Sequence, residues 1–389
     1  MRKLVARTCG LAVILAFAAA GCGGTDDDDE ASGAASGGGD VAAKAEQGLA
    51  ALETEVLSTG PHGEQPTPAA EVKLSAQELE QVKAKQATAA IVLHYGGNDW
   101  SNAQVDGLKD TLDEMGIRVI AVTDAAFKPE KQVSDIETVL ARRPDIIISI
   151  PTDPVATAGA YRKALEQGVK LVFMDNVPQD FEAGKDYVSV VSADNFGNGV
   201  ASAHLMAQQL EGEGKIGVVY HEADFFVTKQ RYEAFKQTMS EEYPGIELAA
   251  EQGIAGPDFA GDAEKVASAM LTRNADLDGI WAVWDVPAEG VLAAARANGR
   301  TDLAITTIDL GQNVAIDMAQ DGPIKGLGAQ RPYDQGATEA TLAGYALLDK
   351  KAPPYVAVNA LPVTPGDLES AWEAVYHQGL PPKVVEAQG

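Results

Sequence analysis

The stretch AAIVLHYGGNDWSN, residues 89–102, decides how the chain is read. Ala89 to Tyr95 is an apolar run of strand length, closed by Gly96-Gly97, and the pattern after it is helical. Asn98, Asp99 and Trp100 stand at the junction. A carboxylate and an amide beside a large ring are costly to leave where a buried strand stops, unless something outside the chain uses them.

The same alternation runs on from there. Apolar runs near 89–95, 117–122, 145–150, 170–174 and 187–192 are separated by amphipathic segments near 101–115, 129–142, 153–167 and 195–211. A second series has strands near 215–220, 246–250, 279–283, 303–308 and 324–328, with helices between them. One further strand is expected near 356–361 and a helix near 366–377. Strands alternating with helices build parallel sheets covered on both faces. The fold class is therefore α/β, with two doubly wound parallel-sheet lobes. The 389 residues fit two cores, since one core stops growing at about 250–300 residues.

The N-terminus is of another kind. Arg2, Lys3 and Arg7 precede the apolar Leu11 to Phe17, and the small residues Ala18 to Gly21 lead into Cys22. The apolar core is too short to span a bilayer as a mature helix, so 1–21 reads as an export signal. Small residues before a cysteine resemble a bacterial lipobox, although Ala19 sits where Leu is commoner. Acylated Cys22 would hold the protein on a membrane without a spanning helix. Residues 22–40, rich in Gly, Ser and Asp, read as a flexible tether, and 41–87 as a helical extension. Loss of Cys9 with the signal leaves no cysteine pair for a disulfide.

Composition narrows the function. Acidic residues number 57 against 30 basic ones, a formal charge of -27, and such a surface repels phosphate backbones; nucleic acid is not an expected partner. The five histidines show no metal spacing, and neither a Gly-x-Ser-x-Gly elbow nor a phosphate-cradling loop follows the first strand. No catalytic residue, metal or cofactor is expected.

Open parallel sheets bind ligands beyond the carboxyl ends of their strands. The residues there are Asn98-Asp99-Trp100, Thr152-Asp153, Asp175-Asn176, Asp224-Phe225-Phe226, Trp284-Asp285, Asp309 and Gln330-Arg331. Carboxylates and amides match vicinal hydroxyls, and aromatic rings match the C–H faces of a sugar.

These motifs carry a resemblance. Asn98 and Trp100 after the first strand, VFMDN at 172–176, VSADNFGNG at 191–199, RYEAF at 231–235, TIDLG at 307–311 and GAQRPYDQG at 328–336 resemble, in that order, the ribose and galactose branch of the periplasmic sugar-binding proteins. These are solute receptors of ABC importers, and the likeness covers 88 to about 362. It implies ligand contacts from Asn98, Trp100, Asp175, Arg231, Asp309 and Gln330, with Phe259 at a contacting position in a loop. Asp99, Asn176 and Trp284 complete the candidate set by their places at strand ends. The resemblance also implies a three-stranded hinge with crossovers near 194, 330 and 361. One lobe would then comprise 88–193 plus 331–360, and the other 195–329 plus 361–389.

Departures from the pattern bear on the ligand. Asn176 stands where ribose binders have Arg, Trp284 where they have Asn, and Ser101 in place of a second aromatic. The expected ligand is thus another pentose, a hexose, a polyol or a less polar solute such as a nucleoside. The expected partners are a membrane permease and its ATPase, with the receptor itself a monomer at the cell envelope. A sensory receptor presenting the same closed lobes to a membrane signalling protein is the alternative.

Overall fold

A computed structural model describes residues 37–389. The export signal, Cys22 and most of the expected tether lie outside the described residues.

The chain opens with α1 (Gly37–Ala51), β1 (Thr67–Pro68) and α2 (Ala76–Lys83). Next come β2 (Thr88–Leu93), α3 (Asp99–Glu114), β3 (Arg118–Asp124) and α4 (Pro129–Leu140). These are followed by β4 (Ile146–Ser149), α5 (Ala158–Glu166), β5 (Lys170–Met174) and β6 (Val190–Ala193). The second series is α6 (Asn195–Gln209), β7 (Gly214–His221), α7 (Phe226–Glu242), β8 (Ile246–Ile254) and α8 (Phe259–Arg273). It continues with β9 (Gly279–Ala282), α9 (Asp285–Ala297), β10 (Ala304–Ile308), α10 (Gln312–Ala319) and β11 (Ile324–Ala329). The chain ends with α11 (Pro332–Leu347), β12 (Tyr355–Val358), β13 (Leu361–Val363), α12 (Leu368–Tyr376) and α13 (Pro382–Ala387).

The strands form two sheets. A seven-stranded sheet has the order β1-β12-β6-β5-β4-β2-β3, and a six-stranded one β13-β11-β10-β9-β7-β8. Every ladder is parallel except β11 with β13. Alternate residues of the first sheet feed two separate cores. Ala89, Ile91, Leu93, Ile148, Val172 and Met174 pack on one face, and Ala90, Val92, Ile147, Leu171 and Phe173 on the other. That two-sided burial is why these strands read as continuous apolar runs.

The chain passes between the sheets from β6 into α6, from β11 into α11, and from β12 into β13. The single strand expected near 356–361 is therefore two strands in different sheets. Asn359 and Ala360 form the step between them, inside an apolar stretch that gave no sign of a break.

The N-terminal segment also departs from expectation. Gly37 to Asp40, read as tether, form the first turn of α1, where the Asp40 carboxylate suits the positive end of the helix. The extension, expected to be helical over 41–87, is only partly so: α1 stops at Ala51, α2 covers Ala76–Lys83, and β1 adds an edge strand beside β12. It spans both lobes. Leu52 is buried with Val200, Ala201, Ala234 and Ala360, while Val82 joins the core of the first sheet. Between these points Leu57 and Ser58 reach Asp194 at the first crossing, and Gln230 Nε2 donates to the Thr59 carbonyl at 3.0 Å. Residues 37–87 thus make a strap from the second lobe, over the hinge, to the first.

Helices α3 and α11 pack at backbone distance. A Cβ at Gly107 would strike the Tyr333 carbonyl, and one at Gly336 the Gln104 carbonyl. This crossing holds α11, which leaves the second sheet at Gln330, against the first.

Candidate functional site

The carboxyl ends of β2, β3 and β5 face those of β7, β9, β10 and β11 across a cavity between the lobes. His94, Tyr95, Asn98, Trp100, Phe127 and Asp175 line it from the first lobe. His221, Phe225, Val227, Thr228, Arg231, Trp284 and Asp309 line it from the second, with Gln330 at a crossing.

One side of the cavity is a continuous hydrogen-bonded chain. Ser192 Oγ donates to Asp175 Oδ1 at 2.7 Å, and Asn195 Nδ2 donates to Ser192 Oγ at 3.0 Å. Arg231 Nε donates to Asn195 Oδ1 at 2.9 Å, and Arg231 Nη1 to Asp309 Oδ2 at 3.1 Å. Gln330 Nε2 then donates to Asp309 Oδ1 at 2.9 Å. The chain starts in the first lobe, passes the crossing at Asn195, enters the second lobe and returns to the crossing at Gln330. Asp175 Oδ2, Arg231 Nη2 and Gln330 Oε1 have no protein partner among the described residues and remain for a ligand.

Local structure places these groups. Asp175 directly follows β5 and Asp309 directly follows β10, each with a left-handed backbone, φ 56° and 71°. Asp tolerates that conformation better than most residues, and the turn aims each carboxylate across the strand end. Arg231 lies on α7, which approaches α6 closely because Gly199 has no side chain: a Cβ there would meet the Arg231 carbonyl at 2.5 Å. Burial raises the pKa of Asp175 to about 6, a shift opposed by the Ser192 hydrogen bond and the Arg231 charge.

The other side is aromatic. His94 stacks on Phe225 across the lobes, with centroids 5.4 Å apart and planes at 11°. Phe127 sits edge-on to His94 at 4.8 Å and to Phe259 at 5.6 Å. Trp284 meets His221 at 5.5 Å and Phe259 at 4.9 Å. Burial lowers the pKa of His94 to about 3, with a further push from His221; burial and then the Arg231 charge lower that of His221 to about 4. Both imidazoles are neutral at physiological pH and act as flat rings with a single donor each.

Of the residues singled out in the sequence, Asn98, Trp100, Asp175, Phe225, Arg231, Trp284, Asp309 and Gln330 meet at this cavity. Asn98 is also the N-cap of α3, its side-chain oxygen accepting from Ser101 N at 2.9 Å, so its amide nitrogen is what it can offer a ligand. Trp100 Nε1 is buried with no partner among the described residues. Phe259 is absent from the cavity lining and backs it through Phe127 and Trp284. Asp99 accepts from Gln312 N at 2.8 Å and so links the lobes outside the cavity. Asn176 is buried and donates to the Pro151 carbonyl at 3.1 Å, a contact internal to the first lobe.

His94, Tyr95, Phe127, His221, Val227 and Thr228 were not read as site residues. Reading strand ends for carboxylates and amides passes over the β3–α4 loop, Ala125-Ala126-Phe127-Lys128, whose only informative group is a ring. An unpaired aromatic in a short loop after a strand is the signal that would have found it.

A family model described as a periplasmic binding protein domain matches residues 89–352. The chain belongs to that family. The binding protein is 25% identical over 284 residues to the ribose import binding protein of Salmonella typhimurium, covering 72% of this chain and 91% of that one. It is 26% identical over 276 residues to a D-apiose import binding protein of Actinobacillus succinogenes, covering 70% and 85%. Its fold is similar to that of a solute-binding protein of an ABC transporter from Agrobacterium vitis with bound α-D-tagatopyranose, with a TM-score of 0.69 at 21% identity over 75% of this chain and all of the other. Periplasmic binding proteins capture solutes and are not as a family enzymes.

Proposed function

We propose that this protein is the solute-binding component of an ABC importer, which closes its lobes on a sugar or sugar-like molecule and presents it to a membrane permease powered by a separate ATPase. The observation that carries this reading is the chain from Asp175 to Gln330, which leaves an acceptor, a guanidinium donor and a further acceptor facing one cavity. Vicinal hydroxyls, each both donor and acceptor, satisfy that set; a single charge does not. Relatives that import ribose and D-apiose support the same class.

The proposed action is binding and hinge closure, without covalent chemistry, a course common among periplasmic binding proteins. The proposed protomer is a monomer, exported and held at the envelope through acylated Cys22. A thermal-shift screen against pentoses, hexoses, polyols, nucleosides and amino acids tests the ligand class, because a ligand that binds only the native state raises Tm. A selective rise with a sugar or polyol supports the proposal, and a response confined to amino acids overturns it. Cys22→Ser tests the anchor: the cleaved variant is expected in the soluble fraction, and its retention on membranes overturns acylation.

A further inference from the structure

The cavity is divided by chemistry. Every carboxylate that lines it, Asp175 and Asp309, lies on the hydrogen-bonded side with Arg231 and Gln330. The opposite side has rings from both lobes, His94 and Phe127 from the first and His221, Phe225 and Trp284 from the second. The aliphatic Val227 lies among the residues of the second lobe.

A free sugar offers rings only its C–H faces and is polar around its whole circumference. Hydroxyls placed against the ring-lined side would lose water, and only the imidazole nitrogens, the Trp100 indole N–H, the Tyr95 and Thr228 hydroxyls and the Asn98 amide could replace it. Among these, His94 Nδ1 and Trp100 Nε1 are buried without partners, enough for a few hydrogen bonds and far short of a sugar's full complement. The neutral state of both histidines extends the apolar area, because an uncharged imidazole stacks as a ring and holds no anion. Both lobes contribute to this side, so it is completed only on closure, and a group lodged there would hold the lobes together.

Resting on the carbohydrate reading above, we infer that the ligand is a sugar or polyol carrying an apolar substituent, of aryl or alkyl type. Its hydroxyls meet the chain from Asp175 to Gln330, and its substituent lies against the wall formed by the packed rings of His94, Phe127 and Phe225, with Trp284 beside it. The substituent is uncharged, since none of the residues that line the cavity on that side offers it a charge to pair with.

The test is isothermal titration of the purified protein with matched pairs. Each pair is a free sugar (ribose, arabinose, allose, tagatose) and the same sugar bearing an O-methyl or O-phenyl group, at the anomeric or the terminal position. For at least one sugar a substituted form is expected to bind at least tenfold tighter than the free one. Phe127→Leu and Phe225→Leu, which keep apolar bulk and remove the ring, are expected to shrink that ratio. A free sugar that binds as tightly as all its substituted forms overturns the inference and leaves the importer reading standing. Tighter binding of a trimethylammonium-bearing sugar than of its phenyl counterpart also overturns it, in favour of a cation held by rings. Failure of every member of every pair to bind a protein that still melts cooperatively overturns the carbohydrate reading, and the inference with it.

Discussion

Asp175 and Asp309 occupy matching places in the two lobes: each is the first residue beyond a buried parallel strand, each has a left-handed backbone, and one hydrogen-bonded chain joins them. Their environments differ. Asp309 is held by Arg231 and Gln330, whereas Asp175 has one hydroxyl donor and a pKa raised by burial to about 6. Asp175 is therefore the acceptor with more to gain from a ligand hydroxyl. Asp175→Ala is expected to weaken ligand binding at least tenfold, about 1.4 kcal/mol, with Tm within a few degrees of the parent; titration calorimetry and thermal melting check both.

Arg231→Ala has a different signature. It removes the cation beside a buried carboxylate, and breaking a buried pair from one side costs about 3–5 kcal/mol. Loss of stability and loss of binding are expected together. Arg231→Lys is expected to recover little of either, because the guanidinium uses Nε on Asn195 and Nη1 on both Asp309 and the Val283 carbonyl, and a single ammonium cannot reproduce that fork.

Acid should loosen the cleft. His94 and His221 have folded-state pKa values of about 3 and about 4, below their unfolded values, so the unfolded chain binds more protons and stability rises with pH across that window. Stability is thus lost as pH falls from about 6.5 toward 4. Asp175 works the other way, since its raised pKa makes the folded state bind the extra proton between about 4 and 6. Asp285 and Glu339, both buried with raised pKa values, act in the same sense as Asp175. The histidine contribution is therefore read by substitution: between pH 6.5 and pH 4, His94→Gln is expected to lose less in Tm than the parent does.

At the hinge, the Asp194 carboxylate accepts from the Leu57 and Ser58 backbone N–H groups, the Ser58 hydroxyl and Gly197 N. Asp194→Ala would leave several buried donors without a partner, at about 1–3 kcal/mol each. Detachment of the strap is expected, seen as faster amide exchange at residues 52–60 together with a lowered Tm. Unaltered exchange there would show that the strap is held by other means.

Much of the two sheets was legible because parallel strands buried on both faces are written as apolar runs such as Ile146-Ile147-Ile148, and the helices between them carry their own period. The polar half of the cavity was legible for a related reason: Asp175, Asp309 and Gln330 interrupt that pattern at strand ends. The aromatic half was legible only in part: Phe225 and Trp284 stand at strand ends, whereas His94 and Phe127 look in sequence like more of the core. The same ambiguity hid the step at Asn359 and Ala360, and the two residues of β1 are too short to have a period. Asn176 and Asp99, also read at strand ends, lie off the cavity lining. A polar residue at a strand end can serve the fold, as Asn176 does at Pro151, or the meeting of lobes, as Asp99 does at Gln312.

The strap also gives the proposed closure a frame of reference. Its first helix, α1, rests on α6 of the second lobe, with Gly48 seated against His204 and Lys44 Nζ donating to the Glu242 carbonyl. Val56, beside the hinge contacts, already packs on the first lobe, and β1 then pairs with β12. On the proposed anchor at Cys22 the described chain is entered through α1 on the second lobe, and the proposed closure becomes a swing of the first lobe, carrying His94, Phe127 and Asp175 toward it.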